Sequence, residues 1–223
     1  MNWPGRTGSI TGSTCTNGSQ ICIGSPNRGS SKYSGGRMGR IQHGYAFERE
    51  IAQSIKKLQD EGEEILFYKM IDTVAFDGMK IPCPYCGQWL NNPFIAPKAL
   101  ADYLVVHKGV TFFIECKSSK NKTSFPIKNI RMHQLRAGLS WHTVGTPYIF
   151  AVSHRATPRR YKCYCMTAST MDLLIAAVHP ARSIKWKFFE SSDNVTELER
   201  LKGGLWDMRP LINIAHNTKE EIK

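Results

Sequence analysis

The sequence predicts an α/β (α+β) fold: a mixed central β-sheet flanked by helices, with a cysteine-bearing insertion and a helical C-terminal extension. Three observations carry this. Helix-period and strand-period segments follow one another in the order helix, strands, helix, strands. The chain has 223 residues, 41% of them hydrophobic, which suffices for one good core and a small appendage. Two apolar runs, "DYLVV" and "VTFFIECKSS", flank the short segment His107-Lys108-Gly109, which is short enough for a hairpin turn.

Residues 1–40 stand apart. They hold nine glycines, seven serines, five Lys or Arg and no acid. Such a stretch cannot bury enough apolar surface to offset its ordering entropy, so it is expected to be a flexible basic arm. A folded core is expected over 41–168. It opens with a helix from about Tyr45 to Glu61, where Phe47, Ile51, Ile55 and Leu58 recur at helical spacing and Gly62 follows as a C-cap. "EILFYKMIDTVAF" has strand composition. Residues 78–98 form a Pro-, Gly- and Asn-rich insertion containing "CPYCG". The hairpin over 102–118 comes next, then a helix from about Ile127 to Ser140, then strands in "TPYIFAVSH" and "RRYKCYCMTA". The extension over 169–223 reads as mostly helical: "STMDLLIAAV" has a capping-box-like opening and "VTELERLKGG" ends on paired glycines.

Charge narrows the partner. Thirty Lys and Arg stand against 18 acids, a net charge of +12 that points to a polyanion, nucleic acid before an anionic membrane surface. No apolar run is long enough to cross a bilayer, and no basic-then-apolar leader opens the chain, so the expectation is a cytoplasmic protein. Seven cysteines, an odd number, argue against a disulfide framework.

The chemistry concentrates in the hairpin. A strand alternates faces, so Glu115 and Lys117 project to one side and Cys116 to the other, and the turn folds Asp102 back toward Glu115. Two carboxylates and an ammonium at one sheet end can hold a divalent cation and activate water beside a phosphate. Glu48 lies on the edge of the first helix's apolar stripe and points toward the sheet, whereas Glu50 falls away toward solvent. Gln134 shares a helical face with Ile130, Ala137 and Trp141, so its amide needs a partner: a backbone group, a nucleophilic water or a ligand carboxylate. The reading from the residues is a metal-dependent nuclease.

These residues carry a resemblance. "GYAFEREIAQSIKKL" on a first helix, Asp102 thirteen positions before Glu115 in Glu115-Cys116-Lys117, and a later helix bearing His133-Gln134 resemble the PD-(D/E)xK nuclease superfamily. Within it, they resemble the Holliday-junction resolvases of the archaeal and phage type, over roughly residues 44 to 153. The resemblance implies a restriction-endonuclease-like core and a homodimer that binds branched DNA and nicks opposing strands symmetrically with Mg²⁺ (or Mn²⁺). Asp102 and Glu115, with the Cys116 backbone carbonyl, would hold the metal. Lys117 would place positive charge beside the attacking water or a phosphate oxygen. Glu48 would complete the metal shell or orient water. A viral or phage origin also belongs to this resemblance.

The cysteines suggest a second metal. Cys83 and Cys86 form a knuckle that supplies half of a tetrahedral zinc site, with Cys163 and Cys165 the first candidates for the other half; Cys15 and Cys22, or His107 and His154, are further ones. A structural Zn²⁺, an iron–sulfur cluster and a site without metal are all open on sequence. Cys116 reads as a small core residue. Two functional alternatives stand beside the resolvase: a restriction-type or exonucleolytic DNase with the same site, and a non-catalytic zinc-containing nucleic-acid-binding module.

Overall fold

A computed structural model describes residues 42–70, 80–82, 89–91, 99–157 and 161–221. The expected arm and most of the expected insertion, Cys83 and Cys86 included, lie outside these residues. The described part is a mixed β-sheet with helices on both faces.

Helix α1 spans Gln42–Asp60. Strand β1 is Ile65–Lys69, and the short strands β2 (Lys80–Pro82) and β3 (Trp89–Asn91) pair with each other. Strands β4 (Tyr103–His107) and β5 (Val110–Ser119) form the hairpin. Its two turn residues, Lys108 and Gly109, have φ of 45° and 79°. Both being left-handed gives the tight turn whose twist matches the strands, and it fixes the register that sets Asp102 beside Glu115. Strand β6 (Ser124–Pro126) leads through a 3₁₀ turn at Ile127–Asn129 into helix α2 (Met132–Thr143). Strands β7 (Tyr148–His154) and β8 (Lys162–Thr167) precede helix α3 (Ala168–Ala177). Strand β9 (Ser183–Lys185), helix α4 (Trp186–Ser191), strand β10 (Thr196–Leu198) and helix α5 (Arg209–Glu221) complete the chain.

The main sheet has the order β1-β4-β5-β7-β8-β10, antiparallel throughout except for β5 against β7. That parallel pair needs a long crossover, and α2 lies in it. Alternation divides the sheet's side chains between two cores. Val105, Phe112, Ile114, Cys116, Ile149 and Ala151 face α1 and α5, where they meet Phe47, Ile51, Ile55 and Leu211. Phe113, Tyr148, Phe150, Val152 and Met166 face α2 and α3, where they meet Leu135 and Met171.

The structure corrects three readings of the sequence. The expected helix over 127–140 begins only at Met132, because the chain is extended at Ile130 and Arg131 (ψ 116° and 128°) and Ile130 is inserted into the core. Ile130 therefore shares no helical face with Gln134. "VTELERLKGG" is not a helix: Thr196–Leu198 pair with Cys163–Cys165 as the sheet's outer strand, and Gly203 and Gly204, at φ 87° and 83°, form the turn after it. Glu50 is only partly exposed and is paired, rather than facing open solvent. Its carboxylate accepts hydrogen bonds from buried Arg155 and from Trp206 Nε1 (3.3 Å), while the Trp206 amide donates to Ser54 Oγ (2.9 Å). Helical periodicity assigned that side of α1 to water; a segment some 150 residues later covers it.

Candidate active site

Strand β5 reaches the site as a run of buried apolar residues and changes character at Glu115. That residue is 1% exposed, so its charge must be answered locally. Lys117, two residues on and on the same face, donates to Glu115 Oε1 and to Gln134 Oε1 (3.0 Å). Gln134 Nε2 donates to Glu115 Oε1 (2.7 Å), which closes a three-membered ring of contacts. The Gln134 amide has thus found a carboxylate partner and is locked in orientation by it. Asp102 stands at the mouth of β4. Its Oδ2 accepts the Cys116 N–H (2.7 Å), its own N–H donates to Ile114 O (3.1 Å) and its carbonyl accepts from Met70 N (2.8 Å). The hairpin register thereby holds the two acids side by side.

Glu48 approaches from α1. Its carboxylate accepts a hydrogen bond from Lys69 Nζ (2.9 Å) and its backbone carbonyl one from Tyr103 Oη (2.9 Å). Its charge still reaches the two acids, raising the proton affinity of both Asp102 and Glu115.

Burial pushes the Asp102 carboxyl up to about 7, and the neighbouring Glu115 charge adds to the rise against the Cys116 N–H and Lys117. Burial also pushes Glu115 up, opposed chiefly by Lys117. Two neighbouring acids both raised by burial, with further carboxylate charge adding to each, mark a site short of positive charge. A divalent cation would supply it. The available donors, two carboxylates and the Cys116 carbonyl, are hard oxygens of the kind Mg²⁺ or Mn²⁺ takes. Among the described residues no group of three or more His, Cys, Asp or Glu is arranged to enclose a metal ion. An ion here would therefore complete its shell with water and substrate oxygens, a habit of Mg²⁺.

Tyr148 was not legible as a site residue. Its hydroxyl lies 3.2 Å from Glu115 Oε2 and 2.9 Å from Leu100 O, so one proton serves two acceptors and ties the acid to the chain just before Asp102. A buried phenol needs a partner, which was the available signal; its identity depends on the β5–β7 pairing. Lys69 was missed for a similar reason, since β1 reaches the site only by pairing with β4.

Helix α2 sits close enough to the sheet only because residue 138 is glycine. A Cβ there would lie 2.8 Å from Ala168 Cβ and 2.8 Å from Tyr148 Cδ1. Gly138→Ala is expected to lower stability by about 1–3 kcal/mol through overpacking, despite alanine's better helix propensity. A thermal melt of the variant checks it: an unchanged or raised Tm would show that the helix can move away at no cost.

Cys163 and Cys165 are fully buried in the core shared with α1 and α5, and burial pushes the Cys163 thiol well above its usual range. Thiols inside a packed core serve as small apolar side chains, so completion of a zinc site by this pair does not fit their surroundings. Cys116 is likewise a buried core residue on the face opposite Glu115.

The profile of one protein family, described as Recombination protein U, matches residues 42–202. The chain belongs to the Recombination protein U family. This is a family of Holliday-junction resolvases of PD-(D/E)xK-like character, in agreement with the resemblance carried by Asp102, Glu115 and Lys117. The matched range takes in α1, the hairpin, α2 and β10, and stops before Trp206 and α5. Among solved structures, the Holliday-junction resolvase Hjc of the archaeal hyperthermophile Archaeoglobus fulgidus aligns with 64% of this chain and 86% of its own, at 12% identity and a TM-score of 0.32. No curated protein matches the chain in sequence.

Proposed function

We propose that this protein is a metal-dependent endonuclease that binds four-way DNA junctions as a homodimer and resolves them by paired, symmetric nicks. The observation that carries the reading is the convergence of Asp102, Glu115, Lys117 and Gln134 on one end of the sheet, in a chain of the resolvase family with net charge +12.

Asp102 and Glu115, with the Cys116 carbonyl, would hold Mg²⁺ or Mn²⁺. When bound, such an ion lowers the pKa of its water and offsets charge on the phosphate in the transition state. The chain's own residues do the rest. Lys117 has three N–H donors, of which Glu115 and Gln134 take two; the third is free to meet a nonbridging phosphate oxygen or the attacking water. Gln134 and Tyr148 hold the Glu115 carboxylate in one orientation, as the supports of a metal ligand must. Glu48, kept in place by Lys69, is positioned to orient water. The arm over 1–40 would add salt-dependent, sequence-independent affinity. No described helix is long and apolar enough to cross a membrane.

An immobile four-way junction, a linear duplex and a single strand, each incubated with protein and Mg²⁺, test the reading. Symmetric paired nicks in the junction, abolished by chelation, are expected. Degradation of linear DNA would move the assignment to a general DNase, and binding without cleavage in any metal would remove the enzymatic reading.

A further inference from the structure

Lys117 and Gln134 touch at the candidate active site although seventeen positions separate them. The chain between them leaves the site along β5, passes through β6 and the 3₁₀ turn, and returns as the first turn of α2. This excursion is built to be rigid. Asn121 Oδ1 accepts from Thr123 N (3.0 Å), Thr123 Oγ1 (3.1 Å) and Ser124 N (3.4 Å), and Asn121 N donates to Ser119 Oγ (3.2 Å). Strand β6 is backed by β9 in a two-stranded sheet. Buried Trp186 fastens both to the core: its Nε1 donates to Asn121 O (2.8 Å) and its ring stacks on His154 at 4.1 Å and 17°.

The charge on this collar has one sign. No Asp or Glu occurs between Glu115 and Asp172. Lys122, Lys128, Arg182, Lys185 and Lys187 are all exposed, and none forms an ion pair among the described residues. Around α1, the hairpin turn and the start of α5 the pattern is the reverse. Lys56 pairs with Asp60, Lys57 with Glu61, Lys108 with Glu63, and Arg209 with Glu61 and Asp207. The cations named there are answered by acids; the five named on the collar are not. Unanswered like charges on a rigid surface repel one another, a cost that a polyanion laid across them removes.

We propose that the collar formed by the loop after β5, by β6 and the 3₁₀ turn, and by β9 with the start of α4 is the seat of a duplex DNA arm, gripping its sugar–phosphate backbone next to the scissile phosphate. The proposal rests on the nuclease reading of the site. Scale agrees: Ser119 lies about 7 Å along β5 from Lys117, about two base-pair rises of a duplex strand. The collar carries no base-reading device in view, so its contribution is positional: it sets which phosphate meets Lys117.

The triple variant Lys122→Gln/Lys185→Gln/Lys187→Gln tests this in the full-length chain. These side chains are exposed, so the fold is expected to survive, with circular dichroism and Tm as the check. Junction affinity measured against salt should lose about 2–3 units of log–log slope, the loss for three released phosphate contacts. In cleavage assays the rise in KM should exceed any fall in kcat. The control variant Lys56→Gln/Lys57→Gln/Lys108→Gln should keep the wild-type slope. An unchanged slope in the collar variant, or equal losses in both variants, overturns the proposal. A slope lost for single-stranded DNA but kept for duplex arms overturns the duplex assignment. A slope lost as expected in a protein that never cuts a junction leaves the collar standing and removes the catalytic reading instead.

Discussion

Glu115→Gln is expected to lower junction cleavage by about 10³-fold or more, the scale of losing one preorganised electrostatic group, while junction affinity stays within a few-fold of wild type. The amide keeps the shape: its oxygen can still accept from Lys117 and Gln134, and its NH2 can donate to the Tyr148 hydroxyl, whose own proton then goes to Leu100 O, so the fold should persist; what is lost is the charge that would hold a divalent cation. Lys117→Ala should also abolish cleavage, but at a structural cost. It strips the buried Glu115 carboxylate of its cationic partner, and breaking one side of a buried pair is strongly destabilising. Comparing the two separates chemistry from folding: Glu115→Gln should be inactive and stable, Lys117→Ala inactive and less stable. Wild-type cleavage by Glu115→Gln in a four-way-junction assay would remove Glu115 from the mechanism.

The second large effect is a stability that falls as pH rises. In the unfolded chain Asp102 gives up its proton near its ordinary value of 3.8; in the folded protein it holds the proton to about 7. Between those values the folded state binds more protons than the unfolded, so raising the pH through this window destabilises the fold. The shift corresponds to at most about 4 kcal/mol from Asp102, and Glu115, also raised, adds in the same direction. Without divalent cations, Tm should therefore drop between about pH 4 and pH 7. Millimolar Mg²⁺ should restore it at pH 8, because a ligand bound only by the folded state stabilises it by mass action. Asp102→Asn should flatten the pH dependence, melt higher than wild type at pH 8 without metal, and fail to respond to Mg²⁺. A wild-type Tm that is flat across this range, or one that rises with pH, would contradict the burial of uncompensated acids at this site.

The parts of the site that sequence made legible are those set by short-range periodicity. Glu115 and Lys117 share a face because strands alternate, Asp102 joins them because a two-residue turn fixes the register, and Gln134 draws notice as an amide among apolar neighbours on a helix. Everything needing the sheet's strand order was out of reach. Tyr148 touches Glu115 only because β7 lies parallel to β5, and Lys69 arrives only because β1 pairs with β4. Glu50 was assigned to water because nothing local announces Arg155 or Trp206. "VTELERLKGG" offered helical spacing and a glycine stop; pairing with β8 outweighed both. The packing of the cysteine pair on β8 was out of reach on the same ground. Cys163 and Cys165 do share a strand face, as the spacing required, but that face is the packed one.

Trp206 and its neighbours have a practical consequence. A protein cut short at Ser192 would retain Asp102, Glu115, Lys117 and Gln134, yet β8 would lose its outer neighbour and α1 the indole that caps Glu50. The bared backbone of β8 would then invite pairing between molecules, and two cysteines now sealed from oxidants would come to the surface. Self-association and thiol cross-linking, before any loss of chemistry, would be the first symptoms of such a truncation. The smallest workable fragment of this enzyme therefore ends after α5.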